Sequence, residues 1–139
     1  MIETREKFEE YLKNFNSGNF SEFVKKYYAD DAIFEKTGYT IHGADNLADH
    51  FANALSSVVK EEITLINYME KDGLVSVELQ ILLTAIKDGF YIRDRKKGEK
   101  ETFYDAGFYT VKNDKIAHAR VYRRFCDENT MDLLKMYSQ

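Results

Sequence analysis

The amino-acid sequence predicts an α+β fold, in which three N-terminal helices pack on one side of a curved, mostly antiparallel sheet. Apolar residues recur at helical spacing in three places in the first part of the chain. Long runs that alternate apolar and polar residues follow, separated by turn-forming residues. Helices and strands that are segregated along a chain are typical of α+β domains, with the core between the helices and the concave side of the sheet.

The first two helices are predicted from their apolar stripes and from the residues at their ends. The stripe of the first helix consists of Phe8, Tyr11, Leu12 and Phe15. We expect this helix to end near Gly18, because glycine readily adopts the left-handed conformation that closes a helix. Asn19 and Glu22 occupy the positions of a capping box, which predicts a short second helix. The stripe of the third helix consists of Leu47, His50, Phe51, Ala54, Leu55 and Val58.

The extended segments are predicted from alternation and from the turns between them. Two short segments, Ala32–Phe34 and Tyr39–Ile41, flank a turn at Lys36–Gly38. The long strands are predicted at Ile63–Met69, Leu74–Ile86, Thr102–Val111 and Lys115–Phe125. Asp72-Gly73 and Asn113-Asp114 are hairpin signals. The charged tract RDRKKGEK, residues 93–100, is predicted to be a solvated hairpin tip.

Composition excludes several classes of protein. A chain of 139 residues with 44% hydrophobic and 32% charged residues is typical of one globular domain, which we assign to residues 1–139. No apolar run approaches the roughly 20 residues of a membrane helix. The net charge of -4 argues against nucleic acid as a partner. A single cysteine, Cys126, and the charged N-terminus lead us to expect a cytoplasmic protein.

The order of elements resembles the nuclear transport factor 2-like (NTF2-like) superfamily, and particularly its SnoaL-like and ketosteroid-isomerase-like branch. The resemblance is carried by Asn16-Ser17-Gly18-Asn19, Tyr28-Ala29-Asp30-Asp31-Ala32, Ile41-His42-Gly43 and Asn113-Asp114-Lys115-Ile116. It implies a cone-shaped fold with a pocket between helices and sheet. The superfamily contains isomerases, dehydratases, cyclases, hydrolases and proteins without catalytic activity, so the fold leaves the reaction open.

In the isomerase-like branch, the resemblance implies a hydrogen-bond donor for a developing enolate, a carboxylate base and an apolar wall. Tyr11 falls where the first-helix tyrosine of the family donates to the substrate oxygen. The alternative is a tyrosine that is simply packed in the core. Where the isomerases carry their basic aspartate, this chain has Lys36, with Glu35 on the opposite strand face. An orthodox isomerase mechanism is therefore not expected.

Asp105 and His50 are the candidates for proton transfer. Asp105 shares a strand face with Phe103 and Tyr109, and burial in an apolar pocket would raise the pKa of its carboxyl group. The alternative is a structural ion pair with Arg123 or Lys36. The resemblance places His50 where the family has a pocket-lining aromatic residue, and a histidine there would titrate near neutral pH. The alternative is a hydrogen bond to a backbone carbonyl at the edge of the core.

The remaining pocket assignments concern the wall and bound groups. The candidate ligand-binding residues are Phe15, Tyr28, Phe51, Phe103, Tyr109 and Val121. The three histidines lack the spacing of metal ligands, and no phosphate-binding or dinucleotide motif occurs. We therefore expect no metal and no cofactor.

Two assignments remain open for the polar residues of the most apolar strand, Glu78 and Gln80. If the opposite face of that strand is the core, they lie on the outer side of the sheet near Arg120 and Tyr122. The resemblance implies that this outer face forms a homodimer. If the faces are exchanged, Glu78 joins Asp105 in the pocket as a second carboxylate.

Three functional hypotheses follow. The first is a cofactor-independent isomerase, cyclase or dehydratase that acts by acid-base chemistry on a small apolar ketone or hydroxy compound, with Tyr11, Asp105 and His50 as catalytic residues. The second is a pocket that binds an apolar ligand without catalysis, in which Asp105 is ion-paired. The third is a dimerisation module with a cone filled by side chains.

Overall fold

The computed structural model describes residues 1–55 and 58–125, and within them three helices and eight strands. The helices are α1 (Arg5–Asn16), α2 (Phe20–Tyr27) and α3 (Ala44–Leu55). The strands are β1 (Tyr28–Lys36), β2 (Tyr39–His42), β3 (Val59–Lys71), β4 (Leu74–Ala85), β5 (Gly89–Tyr91), β6 (Arg93–Arg95), β7 (Lys100–Lys112) and β8 (Lys115–Phe125). Cys126 lies outside the described residues.

The helix ends follow the capping residues of the sequence. The Thr4 hydroxyl accepts a hydrogen bond from the Lys7 amide at 3.1 Å and begins α1. Gly18 has a φ of +85°, the left-handed conformation predicted for it. The Asn19 side chain then accepts a bond from the Glu22 amide and begins α2. None of the helices in the described part of the chain is long and apolar enough to cross a membrane.

Six strands form one sheet in the order β2-β1-β8-β7-β4-β3, which leaves β2 and β3 as open edges. Neighbouring strands are antiparallel except β1 and β8, which run parallel with Lys36 opposite Val121. Register shifts in three strand pairs are β-bulges or irregularities of the kind that bend a sheet. The helices and this mostly antiparallel, curved sheet form the predicted α+β fold.

The two predicted hairpin turns are confirmed by their backbone angles. Asp72 and Gly73 both have positive φ, and so do Asn113 and Asp114. Two consecutive residues with positive φ are the signature of a type I′ turn, whose twist matches that of the flanking strands. Short polar residues and glycine adopt this conformation at low cost.

The segment between β4 and β7 differs from the prediction. Instead of one solvated tip, β5 and β6 form a separate two-stranded hairpin. Arg95, within the tract predicted to be solvated, is only 3% exposed. Its guanidinium forms an ion pair with Glu101 on β7, and the aliphatic part of an arginine packs well once its charge is paired. The prediction is therefore wrong at Arg95.

The burial pattern of β4 decides between the two assignments of its faces. Its buried residues are Val75, Val77, Leu79, Ile81, Leu83 and Ala85. Glu78 is exposed on the opposite face, where its carboxylate accepts a bond of 2.8 Å from the Asn67 side-chain amide. Gln80 on the same face donates to the Tyr104 hydroxyl. The valine face is thus the core, and Glu78 is not a pocket residue.

Candidate functional site

A cavity of about 350 Å³ lies between the helices and the concave face of the sheet. Its apolar wall includes Leu12, Phe15, Phe34, Phe51, Ile63 and Leu79. Its charged and polar lining includes Lys36, Tyr39, His50, Glu61, Asp105 and Arg123. Cavities of roughly 300–1,000 Å³ with apolar walls and few polar groups are typical of small-molecule sites.

The aromatic part of the wall is held by edge-to-face packing. Phe51 on α3 meets Phe15 on α1 at a ring distance of 5.3 Å and an angle of 89°. It meets Phe34 on β1 at 5.6 Å and 85°. Such pairs are favourable beyond the area that they bury, so one ring ties two helices to the sheet. The wall is therefore a rigid apolar surface.

Tyr11 lies on the buried face of α1 and projects into the cavity. Its hydroxyl is 2.7 Å from the Tyr28 hydroxyl, in the first residue of β1. Burial raises the pKa of both phenols above their ordinary value, and the neighbouring Tyr28 and Tyr109 raise that of Tyr11 further. Both groups are therefore neutral hydrogen-bond donors at neutral pH.

Tyr109 approaches Tyr11 because Gly107 leaves room for its ring. A Cβ atom on Gly107 would lie 2.8 Å from the Tyr109 Cε2 atom and 3.2 Å from its hydroxyl oxygen. The ring therefore folds back along β7 over the glycine, on the strand face that also carries Asp105. Burial is the largest cause that raises the pKa of Tyr109, followed by the charges of its neighbours. Glycine at this position shapes the cavity wall.

Asp105 and Arg123 form a buried ion pair across β7 and β8. They are directly opposite in the strand register, and their side chains are only 6% and 4% exposed. The Arg123 Nε donates to Asp105 Oδ1 at 2.9 Å, and its Nη2 donates to Oδ2 at 3.2 Å. Burial alone would lower the pKa of Arg123, but this hydrogen bonding and charge raise it above its ordinary value. The bidentate geometry leaves Arg123 charged within the cavity.

Lys36 is the last residue of β1 and is half-buried in the cavity wall. Burial, and then the positive charge of Arg123, lowers the pKa of its ammonium group. Asp105 and Glu61 oppose this shift through their negative charges. Glu35, its neighbour, points to the other side of β1, where Oε2 lies 2.5 Å from the His118 Nε2. The predicted separation of Glu35 and Lys36 onto opposite faces is confirmed.

His50 projects from α3 into the cavity, where its Nε2 lies 3.1 Å from the Tyr39 hydroxyl. The predicted alternative, a bond to a backbone carbonyl, is not the contact that the structure records. Burial and then the Lys36 charge lower the pKa of His50. Burial, the largest cause, raises the pKa of Tyr39 to about 12. At neutral pH, the imidazole of His50 therefore favours its neutral form, and the phenol of Tyr39 is neutral as well.

A second carboxylate enters the cavity from β3. The Tyr91 hydroxyl donates to Glu61 Oε1 at 3.0 Å, which connects the β5–β6 hairpin to the main sheet. Burial and the Glu61 charge raise the pKa of Tyr91. Ile92, the next residue, also lines the cavity. The hairpin therefore contributes both a polar and an apolar group to the site.

The structure brings together most of the residues predicted for the site. The cavity wall contains Tyr11, Phe15, His50, Phe51, Asp105, Tyr109 and Val121. Tyr28 and Phe103 are buried behind it. Tyr28 contacts the Tyr11 hydroxyl, and the Phe103 ring lies 4.7 Å from the Arg123 guanidinium carbon. These two residues support groups of the wall.

Other lining residues were not predicted from the sequence, and they include Tyr39, Glu61, Tyr91 and Ile92. A signal existed for Glu61, because residues two apart in a strand share a face and Ile63 is apolar. The predicted strand, however, began only at Ile63.

Within the described residues, no three His, Cys, Asp or Glu side chains are grouped so that they could hold a metal ion.

The family of the chain is shown by its sequence. A family model described as a SnoaL-like domain matches residues 8–119. The match covers most of the chain, which therefore belongs to the SnoaL-like family, with the NTF2-like fold. The resemblance inferred from the short motifs is confirmed. A comparison with curated proteins finds no match.

Solved structures agree with this assignment. An LEH-like epoxide hydrolase from M. tuberculosis is 19% identical, with a TM-score of 0.67 and coverage of 92% of this chain and 84% of that one. A proposed polyketide cyclase from Xanthomonas campestris is 16% identical, with a TM-score of 0.71 and coverage of 81% and 83%. A protein with a ketosteroid isomerase-like fold from Catenulispora acidiphila, solved with trimethylamine, is 11% identical, with a TM-score of 0.66 and coverage of 81% and 80%. At these identities the likeness concerns the fold alone.

Proposed function

We propose that this protein binds a small, mainly apolar compound with a carbonyl or hydroxyl oxygen and catalyses proton transfer on it without a cofactor. The observation that carries the proposal is the make-up of the cavity. A rigid aromatic wall meets neutral hydroxyl donors, a histidine and paired charges in a space of about 350 Å³. Hydrogen-bond donors and bases act most strongly where apolar groups limit the access of water.

Tyr11 is the proposed donor to the substrate oxygen. Its hydroxyl is neutral and interacts with the hydroxyls of Tyr28 and Tyr109. When both neighbours donate to the Tyr11 oxygen, the Tyr11 proton is free to bind the oxygen of a ligand. A donor placed where negative charge develops lowers the barrier of enolate formation.

His50 is the proposed group that accepts and returns the proton. Its lowered pKa favours the neutral imidazole, which is the form that acts as a base. The Tyr39 hydroxyl, 3.1 Å away, orients the ring. Asp105 has a different proposed role from the one that the sequence suggested. Both of its oxygens accept bonds from Arg123, so it holds that cation in place and contributes to the field of the cavity.

The proposed substrates are polyketide-, steroid- or terpenoid-like ketones and hydroxy compounds. Such molecules are largely apolar, with isolated oxygens, which suits the aromatic wall and its few donors. The structural neighbours described as an epoxide hydrolase and a proposed polyketide cyclase support the choice of class, since those names denote chemistry on oxygenated carbon compounds.

Deuterium exchange tests the proposal. A panel of cyclic and aryl ketones in deuterated buffer is followed by proton NMR for loss of the α-hydrogen signal, and binding is followed by amide chemical shifts of the labelled protein. We expect exchange to accelerate with the protein and to fall about 100-fold in Tyr11→Phe and in His50→Gln. His42→Gln is the matched control, because His42 is exposed and does not line the cavity. Binding without exchange for every ketone would contradict catalysis on this class.

The alternative function is ligand binding without catalysis, and one observation favours it. Asp105 is ion-paired, as that hypothesis predicts. In this case no variant of Tyr11 or His50 changes a reaction rate, and ligand affinity depends on the apolar wall. Phe51→Ala would then weaken binding more than His50→Gln does, and the NMR titration separates the two outcomes.

We also propose that the protein forms a homodimer through the outer face of the sheet. This face carries Glu78, Gln80, Arg120 and Tyr122, as the sequence analysis predicted. Tyr122 is 56% exposed and packs edge-on against Phe108, which is 37% exposed. Aromatic residues and arginine are enriched at the centres of interfaces, where other charged residues are depleted.

A further inference from the structure

Lys36 is a charged residue of the cavity that has no part in the proposed acid-base roles. It stands at the end of β1, beside Val121 in the parallel register and beside Tyr39 in the β1–β2 pair. Its side chain lines the same cavity as the aromatic wall. A charged group at the edge of an apolar cavity is stabilised by a counter-ion or by water.

The carboxylates near Lys36 already have other partners. Both oxygens of Asp105 accept bonds from Arg123. Glu61 accepts a bond from the Tyr91 hydroxyl. Among residues 1–55 and 58–125, the structure records no hydrogen bond or salt bridge for the Lys36 ammonium group. A lysine retained only as a structural ion pair would contact one of these carboxylates directly.

The electrostatic environment supports a reactive amine. Burial and the charge of Arg123 both lower the pKa of Lys36, so its neutral form is more populated than that of an exposed lysine. Only the neutral amine has the lone pair that attacks carbon, and desolvated lysines beside a second cation are the lysines that form Schiff bases. The position of Lys36 also supports this role, because its side chain lines the cavity in which the ligand is proposed to bind.

We propose that Lys36 captures aldehyde or ketone ligands as an imine. The Nζ lone pair attacks the carbonyl carbon, and the carbonyl π electrons move to oxygen. A proton passes from nitrogen to that oxygen to give a carbinolamine. The carbinolamine hydroxyl takes a proton from solvent and leaves as water while the nitrogen lone pair forms the carbon–nitrogen double bond. The protonated imine that results can return its N–H proton to solvent, so no net proton is consumed. No oxidant or reductant is needed, because the net change is amine plus carbonyl to imine plus water.

This inference rests on the proposed function and narrows its substrate class to carbonyl compounds. A protonated imine withdraws electrons from the adjacent carbon more strongly than a ketone does, so its α-hydrogen is a better proton donor to His50. Lys36 thus occupies the position where the family resemblance places an aspartate base. Instead of removing a proton, it activates the ligand by forming an imine.

Borohydride trapping tests the inference. The full-length protein is incubated with benzaldehyde, reduced with sodium borohydride and analysed by intact mass and peptide mapping. We expect the benzyl adduct to form several-fold faster on Lys36 than on exposed lysines, since a lowered pKa increases the fraction of neutral amine. Lys36→Arg keeps the positive charge and removes the nucleophile, so the adduct is lost. Lys60→Arg is the matched control, because Lys60 is an exposed lysine of β3 that does not line the cavity.

The unreactive analogue benzyl alcohol separates this inference from the proposed function. If the alcohol shifts cavity amide signals but benzaldehyde labels Lys36 no faster than Lys60, the imine is refuted while the binding site stands. If neither molecule perturbs the cavity, the ligand class itself is refuted. The wild-type labelling rate decides the question even if Lys36→Arg folds poorly, and Lys36→Met provides a second variant.

Discussion

Individual side chains of the cavity owe their properties to their immediate partners. Asp105 would be an unpaired buried carboxylate without Arg123, and Tyr109 could not reach Tyr11 without the missing side chain of Gly107. For each pair, a single substitution should change the free energy of unfolding by a predictable amount. The two effects have different physical origins, one electrostatic and one steric.

Removing one partner of the buried ion pair should be costly. Asp105→Leu leaves the Arg123 guanidinium buried without its counter-ion, and we expect the free energy of unfolding to fall by about 3–5 kcal/mol. The double variant Asp105→Leu/Arg123→Met should recover most of that loss, because it buries no charge. Urea unfolding measures both values.

The control is Glu9→Gln, which breaks the exposed Arg5–Glu9 pair and should cost less than about 0.5 kcal/mol. Equal losses in the two single variants would show that the inner pair is solvated.

A methyl group on Gly107 should disturb the cavity wall. The added Cβ would lie 2.8 Å from the Tyr109 ring, closer than real contacts allow, so the ring must move. We expect Gly107→Ala to lower the free energy of unfolding by about 1–3 kcal/mol, as overpacking does. In a Tyr109→Ala background the same change should cost less than half as much, because the clashing ring is gone. Urea unfolding of the four proteins gives this coupling, and an unchanged cost in both backgrounds would place the strain elsewhere.

At the scale of secondary-structure elements, the β5–β6 hairpin stands apart from the other turns. Its turn residue Ile92 has a φ of 67°, a conformation that glycine and asparagine adopt easily and a β-branched residue does not. Within the described part of the chain, the other non-glycine residues with positive φ are Asp72, Asn113 and Asp114, which have the short polar side chains favoured there. Ile92 also lines the cavity. Backbone strain is therefore retained where the hairpin contributes an apolar wall.

Replacing Ile92 with asparagine should relieve that strain. The left-handed conformation costs roughly 1–2 kcal/mol for an ordinary residue and less for asparagine. We therefore expect Ile92→Asn to be at least about 1 kcal/mol more stable than Ile86→Asn. Ile86 is the matched control, because both isoleucines are 47% exposed and Ile86 has an ordinary φ. Thermal or urea unfolding compares the two. Equal stability would mean that the hairpin does not hold Ile92 in this conformation in solution.

At the scale of the whole molecule, the sheet has two unlike faces. The concave face packs on the helices and encloses the cavity, whereas the outer face exposes Phe108, Tyr122 and charged neighbours. The order of the strands leaves β2 and β3 as edges and places β8 and β7 in the middle of this outer face. A central surface of that kind suits the proposed homodimer, in which each copy presents the same patch.

The proposed dimer should dissociate when a charge is placed at its centre. We expect Tyr122→Glu to shift the protein from dimer to monomer, because the symmetric interface would bring two copies of the new carboxylate together. Analytical ultracentrifugation measures the change. The control is Phe90→Glu, an exposed aromatic residue of the β5–β6 hairpin that is 69% exposed. A wild-type monomer at high concentration would refute the dimer, and dissociation of both variants would place the interface elsewhere.

Much of the site was predictable because strand alternation and helix periodicity report which way a side chain points. Tyr11 follows from the apolar stripe of α1, and Asp105 and Tyr109 follow from the alternation of β7. The residues that these side chains contact were harder to predict from the sequence. Arg123 was one of two candidate partners for Asp105, and only the register of β7 with β8 decided between it and Lys36. Tyr39 and Tyr91 lie on short strands, where periodicity has too few residues to act on.

By itself, the sequence determined the fold class and the family through the order of its elements. It also determined the helix ends at Gly18 and Asn19 and the two hairpin turns, since each of these depends on neighbours a few positions apart. The tertiary structure alone decided the rest. The parallel pairing of β1 with β8 brings Lys36 into the cavity with residues more than 80 positions away, such as Val121 and Arg123. Burial and charge then lower the pKa of that lysine. Such long-range pairing depends on which surfaces pack together, so local sequence patterns do not predict it.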